Sequence, residues 1–253
     1  MRKSVPDICE SLKAHIDFLA EAGAGFVLRR PEAETGAAVR GMGPETLPSS
    51  SPVLPSIAGR SPRTAAEKKA FEEIDRQVLG CTLCALNKFR THAVPGEGNR
   101  SAELMFIGEG PGRDEDLQGR PFVGRAGQLL RKIIAAMTFR EDEVYITNMV
   151  KCRPPENRVP HHEEVETCWR YLVRQIELIR PRVIVTLGKT PTDYFVPGRE
   201  GMTARRGRFG EYRGVPVMPT FHPSYLVRNE GNRELKRMVW EDMQKVMALL
   251  GRQ

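Results

Sequence analysis

Four cysteines in this chain are spaced as ligands of a metal ion or a metal cluster often are. Cys81 and Cys84 form a Cys-x-x-Cys pair, Cys152 follows in a proline-rich segment, and Cys168 lies on the apolar face of a predicted helix. One close pair with two further thiols suits either a structural zinc ion or an iron–sulfur cluster, because each accepts four thiolates. Cys168 taken alone also fits a thiol buried in a core. The spacing leaves the choice of metal open.

A second stretch, GEGPG at residues 108–112, has the composition of a functional loop. It follows an apolar run at 104–107 that predicts a buried strand, and it precedes an acidic triplet at 114–116. The loop lacks the Gly-Lys-Ser/Thr of a Walker loop and the spacing of GxGxxG, and the acidic triplet argues against a bound phosphate. Ligands of parallel sheets bind just past the carboxyl ends of strands, so we expect a site here.

The elements that must position these residues alternate between strands and helices. After the strand at 104–107, apolar runs predict strands at 144–150, 183–187 and about 215–218, of which Pro216 makes the last the least secure. Strands separated by helices imply a parallel sheet that is covered on both faces. We therefore predict an α/β fold, a three-layer α/β/α sandwich around a four-stranded, mainly parallel sheet.

Composition divides the chain into three parts. We predict an N-terminal helix at residues 1–23, a flexible linker rich in Pro, Gly and Ser at 24–63, and one domain at 64–253. The formal net charge of +7 and the pI of about 9.3 suit a polyanionic partner. With no apolar run as long as a membrane span and no signal peptide, we expect a cytoplasmic protein.

Three stretches together resemble the family 4 uracil-DNA glycosylases, the iron–sulfur branch of that superfamily. The resemblance covers about residues 67 to 250 and rests on GEGPG with Glu115 and GRPFVG at 119–124, on NMVKCRPP at 148–155, and on HPSYLVR at 222–228. It implies a uracil-DNA glycosylase-like fold with a uracil pocket at the strand ends. It also implies a [4Fe–4S] cluster, mainly structural and apart from the pocket, on Cys81, Cys84, Cys152 and Cys168.

The resemblance implies roles for the residues around the pocket. Asn148 would read the uracil edge, Phe122 would stack on the base, and His222 with the backbone N–H of Gly110 would stabilise the departing uracil anion. Glu109 and Glu115 would orient the attacking water or complete the pocket wall, and the division of labour between them stays open.

DNA contacts are expected from the last of the three stretches. Tyr225 and Leu226 would wedge into the stack that the flipped base has left, and Arg228 would contact a phosphate. Further arginines would either hold phosphates or be solvated surface charges; these are Arg153, Arg158, Arg205, Arg206 and Arg208.

The sequence thus predicts a monofunctional, monomeric uracil-DNA glycosylase that starts base-excision repair on single- or double-stranded uracil-containing DNA and is associated with the nucleoid. The N-terminal extension is either a docking site for another protein or a helix without a function of its own. Two rival functions are a non-catalytic uracil-DNA-binding module and a zinc-stabilised DNA-binding protein. Glu109, Asn148 and His222 together favour the enzyme.

Overall fold

The computed structural model of the protein describes residues 64–252. The predicted N-terminal helix and linker at 1–63 lie outside these residues. The strands are β1 (Glu97–Gly98), β2 (Leu104–Gly108), β3 (Tyr145–Asn148), β4 (Val183–Leu187), β5 (Gly210–Tyr212) and β6 (Val215–Thr220). The helices are α1 (Ala65–Leu79), α2 (Arg113–Gln118), α3 (Arg125–Ala136), α4 (His162–Ile179), α5 (Lys189–Phe195), α6 (Met202–Arg205), α7 (Pro223–Arg228) and α8 (Arg233–Leu250).

The described residues form one sheet in the order β1-β3-β2-β4-β6-β5. The four predicted strands are its central ones, β3, β2, β4 and β6, and they run parallel to one another. The predicted number of four strands is wrong, because the short strands β1 and β5 add an antiparallel pairing at each edge. With two and three residues, these edge strands are too short to show the alternation by which a strand is recognised in sequence.

Two apolar layers cover the sheet, so the predicted three-layer α/β/α architecture is confirmed. Every residue of β2, β3 and β4 is buried. One layer packs α3, α7 and α8 against the sheet, with Ile134 and Val246 both 0% exposed. The opposite layer packs α1 and α4, with Ile74 and Leu172 both 0% exposed. Burying each such side chain contributes about 1.5–3 kcal/mol, and burial on both faces explains why the strands read as continuous apolar runs.

Local signals determine where several of the helices begin. Helix α1 begins after Thr64, whose hydroxyl accepts from the N–H of Glu67, while the Glu67 carboxylate accepts from the N–H of Thr64. This is the capping box expected from the sequence. Helix α8 begins after Asn232, whose side chain accepts from the N–H of Leu235. None of the described helices combines the length and the apolar composition that crossing a membrane requires.

Candidate active site

A pocket of about 710 Å³ opens at the carboxyl ends of β2, β3, β4 and β6. This is the edge of a parallel sheet at which ligand sites form. The structure brings eight of the predicted site residues together around it: Glu109, Gly110, Glu115, Phe122, Asn148, His222, Tyr225 and Arg228. These residues come from four separate parts of the chain, and the convergence of the strand ends is what assembles them.

Asn148 ends β3 and is 1% exposed. Its Oδ1 atom has no hydrogen-bond partner within the described residues. A buried acceptor without a partner costs about 1–3 kcal/mol, so its position in the pocket wall suits a ligand that donates a hydrogen bond. A Cβ atom on Gly108 would lie 2.4 Å from this Oδ1 and 2.6 Å from Cζ of Phe122. Glycine at 108 is therefore what allows the amide and the ring to converge.

Glu115 holds the two loops on which the pocket is built. Its Oε1 atom accepts from the main-chain N–H groups of Val123 and Gly124, both over 2.9 Å, and its Oε2 accepts from that of Gly112 over 3.1 Å. Three main-chain donors thus converge on one carboxylate between Gly112 and the start of α3. This arrangement ties the GEGPG loop to the segment that carries Phe122.

The backbone at Phe122 depends on a glycine that the sequence analysis missed. Phe122 has φ of +52°, a value that a bulky residue adopts only when its surroundings enforce it. A Cβ atom on Gly127, inside α3, would lie 1.7 Å from the carbonyl oxygen of Phe122. The sequence did carry a signal for this contact, because Gly127 is an isolated glycine within an amphipathic helical pattern. Such a glycine often marks a position where another segment packs closely against the helix.

Glu109 has a different environment from Glu115. Its Oε2 atom accepts from the Thr190 hydroxyl over 2.5 Å, and within residues 64–252 no other group hydrogen-bonds this carboxylate. Thr190 lies at the start of α5 and was also missed by the sequence analysis. The only sequence signal was its position just after Gly188, at the end of a predicted strand.

His222 precedes α7 and is held in one orientation. The main-chain N–H of Ser224 donates to its Nδ1 atom over 3.1 Å, and the Ser224 hydroxyl lies 2.8 Å from the same atom. Burial, and secondarily the charge of Arg228, lowers the pKa of His222 to about 4. The imidazole is therefore neutral at pH 7, and because Nδ1 accepts, the ring proton is on Nε2. The ring of Phe122 stacks beside it, with a centroid distance of 5.8 Å.

The segment predicted to contact DNA divides into exposed and buried residues. Tyr225 is 40% exposed, and Arg228 lies beside it with its Nη1 atom 3.4 Å from the Ser224 hydroxyl. Leu226 is 1% exposed and belongs to the core layer of α3 and α8. The prediction of a wedge at Leu226 is wrong, because a side chain buried in the core cannot enter a base stack.

Two of the arginines considered as phosphate ligands form salt bridges with aspartates of the same domain. Arg205 is 6% exposed, forms a salt bridge with Asp193, and donates to the carbonyl of Thr192 over 2.8 Å. Arg206 forms a salt bridge with Asp242, which is 0% exposed. Both guanidinium groups are bound by groups of the same domain. Neither arginine is therefore a phosphate ligand or a solvated surface charge, the two roles expected from the sequence.

None of the four cysteines forms a disulfide within the described residues, and their charges influence one another. Burial, and less strongly the charges of Cys84 and Cys81, raise the pKa of Cys152, while Arg90 opposes the rise. Burial raises the pKa of Cys168 to about 12, and Cys152 and Cys84 add to the rise. A negative charge on one of these sulfurs disfavours ionisation of the others. The cysteines can therefore be thiolates together at pH 7 only beside a cationic centre.

Two N–H donors point at the buried pair of sulfurs. The Arg90 guanidinium donates to Sγ of Cys152 over 2.9 Å, and the main-chain N–H of Lys151 donates to Sγ of Cys168 over 3.3 Å. Such hydrogen bonds to sulfur are typical of iron–sulfur sites. Among residues 64–252, no three His, Cys, Asp or Glu side chains converge as they would around a single metal ion. In donor type, the four thiols and the two N–H groups that bind two of them suit an iron–sulfur cluster.

Comparison with known proteins decides the family. The model of the uracil DNA glycosylase superfamily matches residues 95–244. The chain is 47% identical over 185 residues to the type-4 uracil-DNA glycosylase of Thermotoga maritima, an alignment that covers 72% of the chain and 96% of that relative. The chain belongs to the type-4 uracil-DNA glycosylases.

A second type-4 uracil-DNA glycosylase, from Archaeoglobus fulgidus, is 41% identical over 194 residues, which is 73% of the chain and 95% of the relative. The type-5 uracil-DNA glycosylase of Pyrobaculum aerophilum is 34% identical over 155 residues, covering 54% of the chain and 68% of the relative. The resemblance to family 4 that the three stretches indicate is thus confirmed.

Proposed function

We propose that this chain excises uracil from DNA by hydrolysing the N-glycosidic bond of a flipped-out nucleotide, leaving an abasic site that starts base-excision repair. The observation that carries the proposal is the buried Asn148 amide, whose Oδ1 has no hydrogen-bond partner among residues 64–252, in the same pocket as the neutral His222. A glycosylase cannot reach its bond inside the duplex, so a pocket that accepts one extruded base is what the reaction requires.

Asn148 supplies the recognition of uracil. Uracil presents a donor at N3–H and an acceptor at O4, and one amide matches both when Oδ1 accepts and Nδ2 donates. Cytosine presents the opposite pattern, with an acceptor at N3 and an amino group at position 4. Each mismatched buried group costs about 1–3 kcal/mol, which favours uracil by roughly tenfold or more. Phe122 in the pocket wall offers the ring face for stacking.

His222 and Gly110 supply the stabilisation of the leaving group. Uracil departs as an anion with negative charge at O2, so catalysis needs hydrogen-bond donors aimed at that atom. The Nε2–H of neutral His222 and the main-chain N–H of Gly110 are the donors we assign. An imidazole with a pKa of about 4 remains neutral at pH 7 and therefore donates a hydrogen bond without transferring its proton.

The two glutamates divide the remaining roles. Glu115 already accepts from three main-chain N–H groups, which makes it the residue that holds the pocket loops together. Glu109 uses one oxygen on Thr190, which leaves Oε1 to bind the water that attacks C1′ of the sugar. We therefore assign the water to Glu109 and the scaffold to Glu115.

Cys81, Cys84, Cys152 and Cys168 would hold a [4Fe–4S] cluster. When bound, the cluster supplies four iron–thiolate bonds that join three distant segments of the chain. The N–H donors of Arg90 and Lys151 reduce the negative charge on two of the sulfurs. Two facts support this assignment, namely the type-4 family and a set of four thiols with N–H donors.

We further propose that residues 64–253 act as a monomeric catalytic domain in the cytoplasm, at the nucleoid, and that the N-terminal extension contacts another protein. The DNA would lie over the exposed Tyr225 and Arg228, which flank the pocket.

The test of the function uses the full chain, purified without oxygen, and an oligonucleotide with one uracil. Free uracil and an alkali-labile abasic site should form in amounts exceeding the enzyme, and a matched oligonucleotide with thymine should remain intact. Tight uracil-dependent binding without uracil release would instead favour a non-catalytic binding module.

A further inference from the structure

The turn at residues 188–190, which leads from the end of β4 into the start of α5, contacts both side chains to which we assign catalysis. At one end, Gly188 has φ of +90°, and a Cβ atom there would lie 3.0 Å from Cβ of His222. Two residues later, the Thr190 hydroxyl donates to Glu109 over 2.5 Å. One short turn therefore packs against His222 and binds Glu109.

The same turn is anchored firmly to the sheet. The Thr192 hydroxyl donates to the carbonyl of Gly188 over 2.7 Å and lies 2.9 Å from the Thr186 hydroxyl. The main-chain N–H of Gly188 donates to the carbonyl of Thr220 in β6 over 2.9 Å. Thr186 and Thr192 are both 0% exposed. The turn therefore holds Thr190 at a fixed position relative to β4 and β6.

We propose that Thr190 is a positioning residue for Glu109 in the glycosylase reaction, an inference that rests on the proposed function. Glu109 is only half-buried, and within the described residues its carboxylate has no other hydrogen bond. Without Thr190, the long glutamate side chain samples several rotamers, and its oxygen no longer points steadily at the water. Threonine suits the task because its β-branch restricts χ1 and so fixes the direction of the hydroxyl.

Thr190→Val and Thr190→Ser form a matched pair for the test. Valine keeps the shape and removes the donor, so we expect the single-turnover rate of uracil release to fall about ten- to a hundredfold, as losing a hydrogen bond to a charged group does. The KM for uracil-containing DNA should change by less than about twofold, since Thr190 would act on the chemical step. Serine keeps the hydroxyl and should restore most of the lost rate.

A control variant that changes only stability separates a positioning role of Thr190 from a merely structural one. Thr64→Val removes the side-chain cap of α1, which lowers the stability of the fold. It should lower the melting temperature without lowering the single-turnover rate. If Thr190→Val reduces the rate only in proportion to lost folded protein, the positioning role is overturned.

A double-mutant cycle with Glu109→Ala, which removes the acceptor of the Thr190 hydroxyl, gives the decisive readout. If Thr190 acts through Glu109, Thr190→Val should change the rate by less than about twofold in the Glu109→Ala background. Independent, multiplying effects of the two substitutions would overturn the inference, as would a Thr190→Val variant at the parent rate. These outcomes leave the proposed function intact when the parent chain is active, whereas a parent that releases no uracil overturns both.

Discussion

The main-chain N–H of Ser224 donates to Nδ1 of His222 over 3.1 Å. Because a main-chain N–H cannot accept a hydrogen bond, this contact places the proton of the neutral ring on Nε2. The orientation of the histidine and the identity of its donor atom thus follow from the first turn of α7, which begins at Pro223 directly after it.

The protonation state of His222 is directly measurable. Its pKa of about 4 lies below the ordinary value of 6.5, so nitrogen-15 NMR of the full chain should show a neutral, Nε2-protonated ring throughout pH 6–8. Because the unfolded chain takes up this proton near pH 6.5 and the folded chain only near 4, stability should fall as the pH drops through this window. A ring that titrates near 6.5 in the folded protein would contradict the assignment.

Replacing the histidine tests its role in catalysis. Removing one donor to a developing anion typically lowers the rate by about a hundred- to a thousandfold. His222→Ala should show this loss in single-turnover uracil release, while its affinity for uracil-containing DNA stays close to that of the parent. An unchanged cleavage rate would show that His222 has a structural role only.

The Asn148 amide determines which base is accepted. Asn148→Asp keeps the shape and loses the donor, so the O4 atom of uracil would face an anionic oxygen. Uracil excision should fall by roughly tenfold or more, since a mismatched buried pair costs about 1–3 kcal/mol. Weak release of cytosine is expected, because its 4-amino group can donate to the carboxylate. Excision of uracil at the parent rate would mean that Asn148 does not read the base.

Gly108 provides a test of the pocket geometry. In Gly108→Ala, the new Cβ would lie 2.4 Å from Oδ1 of Asn148 and 2.6 Å from Phe122, so the amide and the ring must move apart. A misplacement of about 1 Å can cost roughly a hundredfold in rate, and we expect a loss of that order in kcat/KM. Gly231→Ala is the matched control, because apart from its two chain neighbours no described residue has an atom within 4 Å of its Cβ position. Equal activity of the two variants would refute this account of the pocket.

The cluster assignment predicts colour and composition. Protein purified without oxygen should be brown and contain iron and sulfide, and Cys152→Ser should lose both together with part of its thermal stability. The rate per folded molecule should change less than the stability, because the cluster would join chain segments rather than touch the base. A colourless, fully active protein with one zinc ion would contradict the assignment.

The sequence by itself determined the family, the central strands and most of the pocket. Apolar runs such as Val183–Leu187 are strands buried on both faces, and their composition alone indicates this. Glu109, Asn148 and His222 follow the carboxyl ends of strands, and parallel strands bring those ends to one edge. Their meeting in one pocket could therefore be predicted from their order along the chain.

Tertiary structure alone decided what each polar or apolar side chain contacts. Leu226 and Tyr225 are neighbours in the HPSYLVR motif. Packing against α3 nevertheless buries Leu226, whereas Tyr225 stays exposed. Arg205 and Arg206 read as surface charges until Asp193 and Asp242 are seen beside them. Glu109 and Glu115 are acidic residues only six positions apart, and only their hydrogen-bond partners distinguish their roles. The partner of Glu109 is Thr190, 81 positions further along the chain, and contacts over such separations depend on how the whole sheet brings its strand ends together.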